Sequence, residues 1–299
     1  MPDPLIELSR SLAYVTRNRL PYTRERQLLE QLHENVSAPL GPLLAQQKLP
    51  PTGRSNFGLK ILRFEHADVL RKTTAVLREY LTTRALCGNP SPNYHAAILA
   101  VGAKGPIFRI LQEYLPQGGE DLDAAAHADL VIGFSRDLST RIPQSIDLPR
   151  AAYHQIRAPR FLKRVAHIAG DPPTRIKAAL EAIERNPWTL QHGDLHHGNI
   201  RRRQCGQPVA IDFGTVNWNI EGADFFWLAP DGCSTKEIRD KFETATDIAA
   251  DKLGKSGLLL RQAALLQAAA RHQRRAIRHR DRDRSFLAAR IAAEALSNT

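Results

Sequence analysis

Cysteine is scarce in this chain: Cys87, Cys205 and Cys233 are the only three in 299 residues. They are far apart and odd in number, and no Cys-x-x-Cys pair occurs. Neither a disulfide framework nor a thiolate zinc site is indicated, and a reducing cytoplasm is the simplest setting. Long apolar runs are missing too. No window approaches the roughly 20 apolar residues that a membrane-spanning helix needs. The N-terminal stretch MPDPLIELSRSLAYVTRNRL has no signal-type apolar core, because Arg10, Arg17 and Arg19 interrupt it. A soluble, cytoplasmic protein with no membrane partner is therefore expected. Acid is the minority charge: 31 Asp and Glu oppose 42 Lys and Arg, a formal +11. That excess favours anionic partners without choosing among nucleotides, phosphorylated metabolites, nucleic acid or a membrane surface. Internal repeats are absent.

What is present is ordinary in bulk. The chain is 42% hydrophobic and 24% charged, the balance of a globular protein, and its length suits one large or two modest domains. Residues 1–35 read as one or two surface helices, with Leu28, Leu29 and Leu32 at helical spacing. A Pro-rich interval follows (Pro39, Pro42, Pro50, Pro51) and ends in the turn-like Thr52-Gly53-Arg54-Ser55-Asn56. FGLKILRF at 57–64 reads as a strand. From Asp68, an N-cap candidate, the positions Val69, Leu70, Thr73, Val76, Leu77, Tyr80 and Leu81 fall on one helical stripe. Gly88, Asn89, Pro90 and Pro92 close that helix. Two strands are then expected around Ala103-Lys104-Gly105-Pro106, finishing in the segment 112–119, whose Pro and Gly residues make a linker that marks a domain boundary. Beyond it the chain reads as mainly helical to about residue 186, then strand–loop–strand over 188–214, then helical again.

The loop of that section carries the chemistry. Residues 192–199 are His-Gly-Asp-Leu-His-His-Gly-Asn, followed by Ile-Asp-Phe-Gly at 211–214 and Glu-Gly-Ala-Asp at 221–224. Moving a phosphoryl group onto an alcohol needs a base beside the hydroxyl, with positioning and charge neutralisation doing most of the rest. Asp194 can orient and deprotonate a hydroxyl. Asn199 and Asp212, the latter after the short apolar strand Pro208–Ile211, offer hard oxygens that suit magnesium.

HGDLHHGN followed by IDFG resembles the phosphotransferase enzyme family, which includes aminoglycoside phosphotransferases, choline kinases and fructosamine kinases. The family pattern is HGDxxxxN, an apolar strand with an Asp-aromatic-Gly, then a Gly and a downstream Asp, here Gly222 and Asp224. The resemblance implies an α+β, protein-kinase-like two-lobed fold. A small sheet-containing N-lobe would span 36–115 after a helical extension at 1–35, and a mainly helical C-lobe would span 116–299. It also implies Asp194 as catalytic base, Asn199 and Asp212 as Mg2+ ligands, and Asp224 as a structural acid. ATP or GTP would be the donor and a small molecule the acceptor. Upstream, Lys60 on the strand would reach the nucleotide phosphates and pair with Glu79. The alternative register gives that role to Lys72, but only seven residues would then separate it from Glu79, too few for a turn and a facing helix; Lys60 is preferred. Glu113, Tyr114 and Leu115 resemble the hinge that binds the adenine edge through backbone groups. The phosphate-covering loop has no clear counterpart, Gly41 being the only glycine in the better position.

Blander readings stand beside these. Lys60 and Glu79 would also make an ordinary solvated pair. The three histidines of the loop invite a zinc site, and GDLHHGN invites comparison with metallophosphoesterases, whose further GDxxD and GNH elements do not occur here. The segment RHQRRAIRHRDRDR at 271–284 has the composition of a solvated helix face. It also motivates the competing function, a catalytically weak kinase-like module that engages a polyanion through a basic C-terminal helix. Trp188, Trp218 and Trp227 lack interleaved basic residues, so no base-stacking platform and no nucleic-acid partner are expected. Only twelve residues separate Asp212 from Asp224, and no Ala-Pro-Glu follows, which leaves no room for a peptide platform. The arginine-rich C-terminal part tilts the acceptor toward a neutral or anionic molecule, such as a sugar, a polyol or a phosphorylated metabolite. Oligomeric state has no signature in these residues.

Overall fold

The computed structural model describes residues 4–297 apart from 37, 51–55, 90–91, 117, 119–120, 144–145 and 152. In chain order its elements are α1 (Pro4–Arg17), α2 (Glu25–Glu34), β1 (Leu43–Leu49), β2 (Asn56–Phe64), β3 (Asp68–Thr74), α3 (Leu77–Leu86), β4 (Ile98–Lys104) and β5 (Ile107–Glu113). Then follow α4 (Ala124–Arg141), α5 (Pro159–Ala169), α6 (Pro173–Glu184), β6 (Trp188–Gln191), β7 (Ile200–Arg202), β8 (Pro208–Ala210), β9 (Asn217–Ile220), α7 (Lys236–Leu253), α8 (Gly257–His279) and α9 (Arg282–Leu296). The chain divides into two units. One comprises residues 1–119, 137–147 and 198–216; the other comprises 120–136, 148–197 and 217–299.

In the first unit the strands form one antiparallel sheet in the order β1-β2-β3-β5-β4. β3 is paired on both sides, Ile61 facing Leu70 and Ile110 facing Lys72. α2 lays Leu28 and Leu32 against Leu62, Phe64, Val69, Leu99 and Leu111, and Tyr80 of α3 stacks on Phe108 of β5 at 4.2 Å. α2 is a surface helix with one buried face: Leu28 and Leu32 are wholly buried while most of its other residues are exposed. The Pro-rich interval holds β1, which its composition hid. The turn read at 52–56 lies outside the described residues except for Asn56. Gly41 sits at the far end of β1, against Glu65 and His66 of the β2–β3 turn.

The helix expected from Asp68 is a correction. Residues 68–74 are a strand, and the helix begins only at Leu77. Val69, Leu70 and Thr73 fit a helical stripe by position. Strand hydrogen bonds are available from both neighbours, however, and β-branched Val69, Thr73 and Thr74 suit them. The two strands expected around Gly105 are β4 and β5, with Gly105 at φ +59° in the turn.

The second unit is mainly helical. β6 and β9 pair as a short antiparallel ribbon from Trp188–Ile220 to Gln191–Asn217. α8 presents Ala263, Ala264, Ala268 and Ala269, and α9 presents Ala288, Ala289 and Ala292, all buried. Small side chains let helices approach closely. The expected α+β class, a sheet-bearing N-terminal part with a mainly helical C-terminal part, is what the chain adopts. Among the described residues no helix is long and apolar enough to cross a membrane, and all three cysteines are free.

Candidate active site

Lys72 is the charged centre of the first unit. β3 delivers it, and the chain turns into α3 through Ala75 and Val76, with the Val76 N–H donating to Thr74 Oγ1 at 3.1 Å. That tight turn brings Glu79, in the first turn of α3, back to the strand. Lys72 Nζ donates to Glu79 Oε1 at 2.5 Å and to Asp212 Oδ1 at 2.9 Å. Lys72 is 6% exposed and Glu79 2%. Burial by itself would push the Lys72 ammonium down, but the Glu79 and Asp212 carboxylates more than offset it, and the group is held above its ordinary value. Lys60, expected to partner Glu79, lies on β2 and donates to Gln46 at the surface. The pairing is therefore corrected to Lys72–Glu79. Seven residues suffice because strand and helix need only two residues between them.

Asn199 and Asp212 flank the two strands of the β7–β8 hairpin. Ile200 faces Ala210 in its ladder, and the Ile211 N–H donates to the Asn199 carbonyl at 2.9 Å, so Asn199 stands across from the residue next to Asp212. Asp212 itself is left-handed, at φ +64° and ψ +79°, and its carboxylate accepts from the Gly214 N–H. Aspartate tolerates this region better than most residues, and strain of this kind collects at functional sites. One amide oxygen and one carboxylate are hard donors of the kind magnesium takes. Among the described residues no group of three or more His, Cys, Asp or Glu could hold a metal.

At the end of β5, the Glu113 carboxylate is consumed by structure. Arg203 Nε and Nη2 donate to it at 3.0 Å each, and the Ala97 N–H donates at 3.1 Å. Tyr114 and Leu115 follow the strand, half-buried.

In the second unit, β6 leads into the loop that carries Asp194. Buried Asp224 fixes that loop: Oδ2 accepts the His192 N–H at 2.6 Å and Oδ1 the Gly193 N–H at 2.8 Å. Burial pushes the Asp224 carboxyl up, and His192 with the two amide donors pulls it back. Gly193, at φ +76°, supplies a turn that other residues adopt only with strain. His192 is wholly buried, with its ring 5.3 Å from Phe134, and its Nδ1 accepts the Asp194 N–H at 3.3 Å. Gly222, before Asp224, is at φ +91°, and a Cβ there would meet Leu260 at 2.9 Å.

One partner of Asp194 escaped sequence reasoning. Arg271 of α8 donates to Asp194 Oδ1 at 2.9 Å, while its guanidinium lies 4.3 Å from the Trp227 ring centre. The only available signal was the arginine-rich run itself, which composition assigns to a solvated face.

Solved structures share this protein-kinase-like fold. A Ralstonia eutropha JMP134 protein provisionally named an aminoglycoside phosphotransferase superposes with a TM-score of 0.57 at 13% identity, covering 92% of this chain and 98% of that one. A thermostable mutant of aminoglycoside phosphotransferase APH(4)-Ia, in ternary complex with AMP-PNP and hygromycin B, gives 0.52 at 13% identity, covering 86% and 95%. The GDP complex of a mutant aminoglycoside 2'-phosphotransferase-IIIa gives 0.54 at 14%, covering 86% and 93%. No curated protein sequence matches the chain. The family model described as the phosphotransferase enzyme family matches residues 55–252. The chain belongs to that family.

Proposed function

We propose that the chain moves the γ-phosphoryl group of ATP or GTP onto a hydroxyl of a small molecule. The observation that carries this reading is the buried Lys72 ammonium, held by Glu79 and Asp212 and fixed in its charged form. A cation locked in place by two carboxylates is suited to steady the phosphates of a nucleotide. Relatives of the same fold bind AMP-PNP and GDP, which supports a nucleoside triphosphate as donor.

The roles follow from chemistry. Asn199 and Asp212 would hold Mg2+, which when bound neutralises charge on the phosphate oxygens. Backbone groups of Glu113, Tyr114 and Leu115 would receive the base. Asp194 accepts the proton of the acceptor hydroxyl as its oxygen bonds to phosphorus. The bond from phosphorus to the bridging oxygen breaks, and the nucleoside diphosphate leaves with the electron pair. Asp224 and His192 hold the Asp194 loop in the geometry that this proton transfer needs.

Asp194→Asn tests the assignment. Loss of a general base costs typically ~10²–10⁴-fold in rate. The variant is expected to keep magnesium-dependent nucleotide binding in a thermal-shift panel while turnover falls by that factor. Near-normal turnover would reject Asp194 as the base.

A further inference from the structure

Arginines crowd the face of α8 that carries Asp194's partner. Arg271, Arg274, Arg275 and Arg278 recur at three- and four-residue spacing, so they share one side of the helix. Arg271 is fixed between Asp194 at 2.9 Å and the ring of Trp227 at 4.3 Å, and Trp227 packs on His196 at 4.9 Å. Arg275 is exposed and lies within electrostatic reach of Asp194, Arg271, Arg278 and Arg284. Half-buried Arg274 lies within reach of Arg271, Arg275 and Arg278. Burial first, and then these neighbouring cations, hold both guanidiniums below their ordinary value. Among the described residues neither forms an ion pair within 4.0 Å.

Such crowding is unfavourable on a bare helix, because like charges four residues apart destabilise it. The helix dipole accounts for cations in the last turn, where Arg278 sits before the end of α8 at His279. It does not account for Arg274 and Arg275, further up the helix, whereas Arg271 is already paired with Asp194. Asp194 lies within reach of both Arg271 and Arg275, and on the proposed function it must also serve the acceptor hydroxyl.

We propose that the acceptor is a small hydroxylic molecule that also carries an anionic oxygen group, phosphate or carboxylate, and that Arg271 and Arg275 receive that group beside Asp194. This rests on the reading of Asp194 as the base. The planar guanidinium fork matches either anion in bidentate fashion. Polycationic acceptors would meet the wrong charge at this face.

Matched acceptors test it: glycerol against glycerol 3-phosphate and glycerate, glucose against glucose 6-phosphate and gluconate, with kanamycin as a polycation. Calorimetric affinity and nucleoside diphosphate release are measured with magnesium and nucleotide present. In at least one set the anionic member should bind tenfold or more tightly than its neutral counterpart, with the advantage shrinking in high salt. The phosphate and carboxylate arms identify which anion is read. Arg275→Gln should raise KM for the anionic member about tenfold with little change in kcat, and Arg275→Lys, which keeps the charge, should restore part of the preference.

Equal affinity within every set would overturn the proposal. So would a preference for kanamycin, binding of a single-stranded oligonucleotide that displaces the anionic acceptors, or a preference unchanged in both Arg275 variants. Asp194→Asn separates the two readings. If it turns over normally while the anionic preference persists, the base assignment alone fails. If it loses turnover while the wild type favours neutral or cationic acceptors, the acceptor proposal alone fails.

Discussion

The Lys72 ammonium lies 2.5 Å from the Glu79 carboxylate although only seven residues separate them in the chain. Both are buried, so neither charge tolerates loss of the other. Removing one partner of a buried pair leaves an uncompensated charge and costs about 3–5 kcal/mol. Lys72→Met should therefore lower unfolding free energy on that scale and, on the proposed role, reduce turnover by two orders of magnitude or more. Lys60→Met removes only an exposed contact with Gln46, and its stability should stay within about 0.5 kcal/mol of wild type. Urea denaturation with coupled assays of both variants checks the contrast. Equal effects would return the phosphate role to dispute between the two lysines.

Asp224 should matter through the loop it holds. Asp224→Ala leaves the His192 and Gly193 N–H groups without their acceptor inside the protein. Each buried unsatisfied donor costs roughly 1–3 kcal/mol. A drop of about 2–6 kcal/mol in unfolding free energy at constant denaturant slope is expected. Turnover should fall even at temperatures where the variant is fully folded. A stable variant with normal kcat would show that the loop holds itself.

These two clusters also show what the chain made legible. Asp194, Asn199, Asp212 and Asp224 lie within a few dozen residues, and their order and residue types were readable because the loops that place them are local. Lys72 was misjudged for a physical reason. Val69, Leu70 and Thr73 match a helical stripe as well as a strand, and the choice is made by hydrogen bonds to β2 and β5, the latter far along the chain. The strand register puts Lys72 only seven residues from Glu79, too few for a facing helix unless the turn is as short as Ala75 and Val76 make it. Arg271 and Asp194 are 77 residues apart, and no periodicity links them. Only the packing of α8 near the loop reveals the pair. β1 was hidden for the opposite reason: its seven residues are mostly exposed, so they carry little of the apolar pattern by which strands are recognised.

Acid should weaken the second unit through His127 on α4. Burial, and then Lys241, push this imidazole down from 6.5 to about 4, with Asp121 pulling weakly the other way. Its ring lies 6.1 Å from that of Phe225. Because the folded pKa is depressed, the unfolded chain binds more protons between pH 6.5 and about 4. The stability that depends on neutral His127 is thus fully present above pH 6.5 and is lost as pH falls toward 4. Between pH 7.5 and 5 the loss amounts to roughly 2 kcal/mol on the usual linkage relation. Carboxylates titrate over part of the same range, so the test is a difference: His127→Gln should lose about 2 kcal/mol less than wild type across that interval in denaturant titrations. Parallel stability curves for the two proteins would mean that His127 gains its proton without opening the helix packing around it.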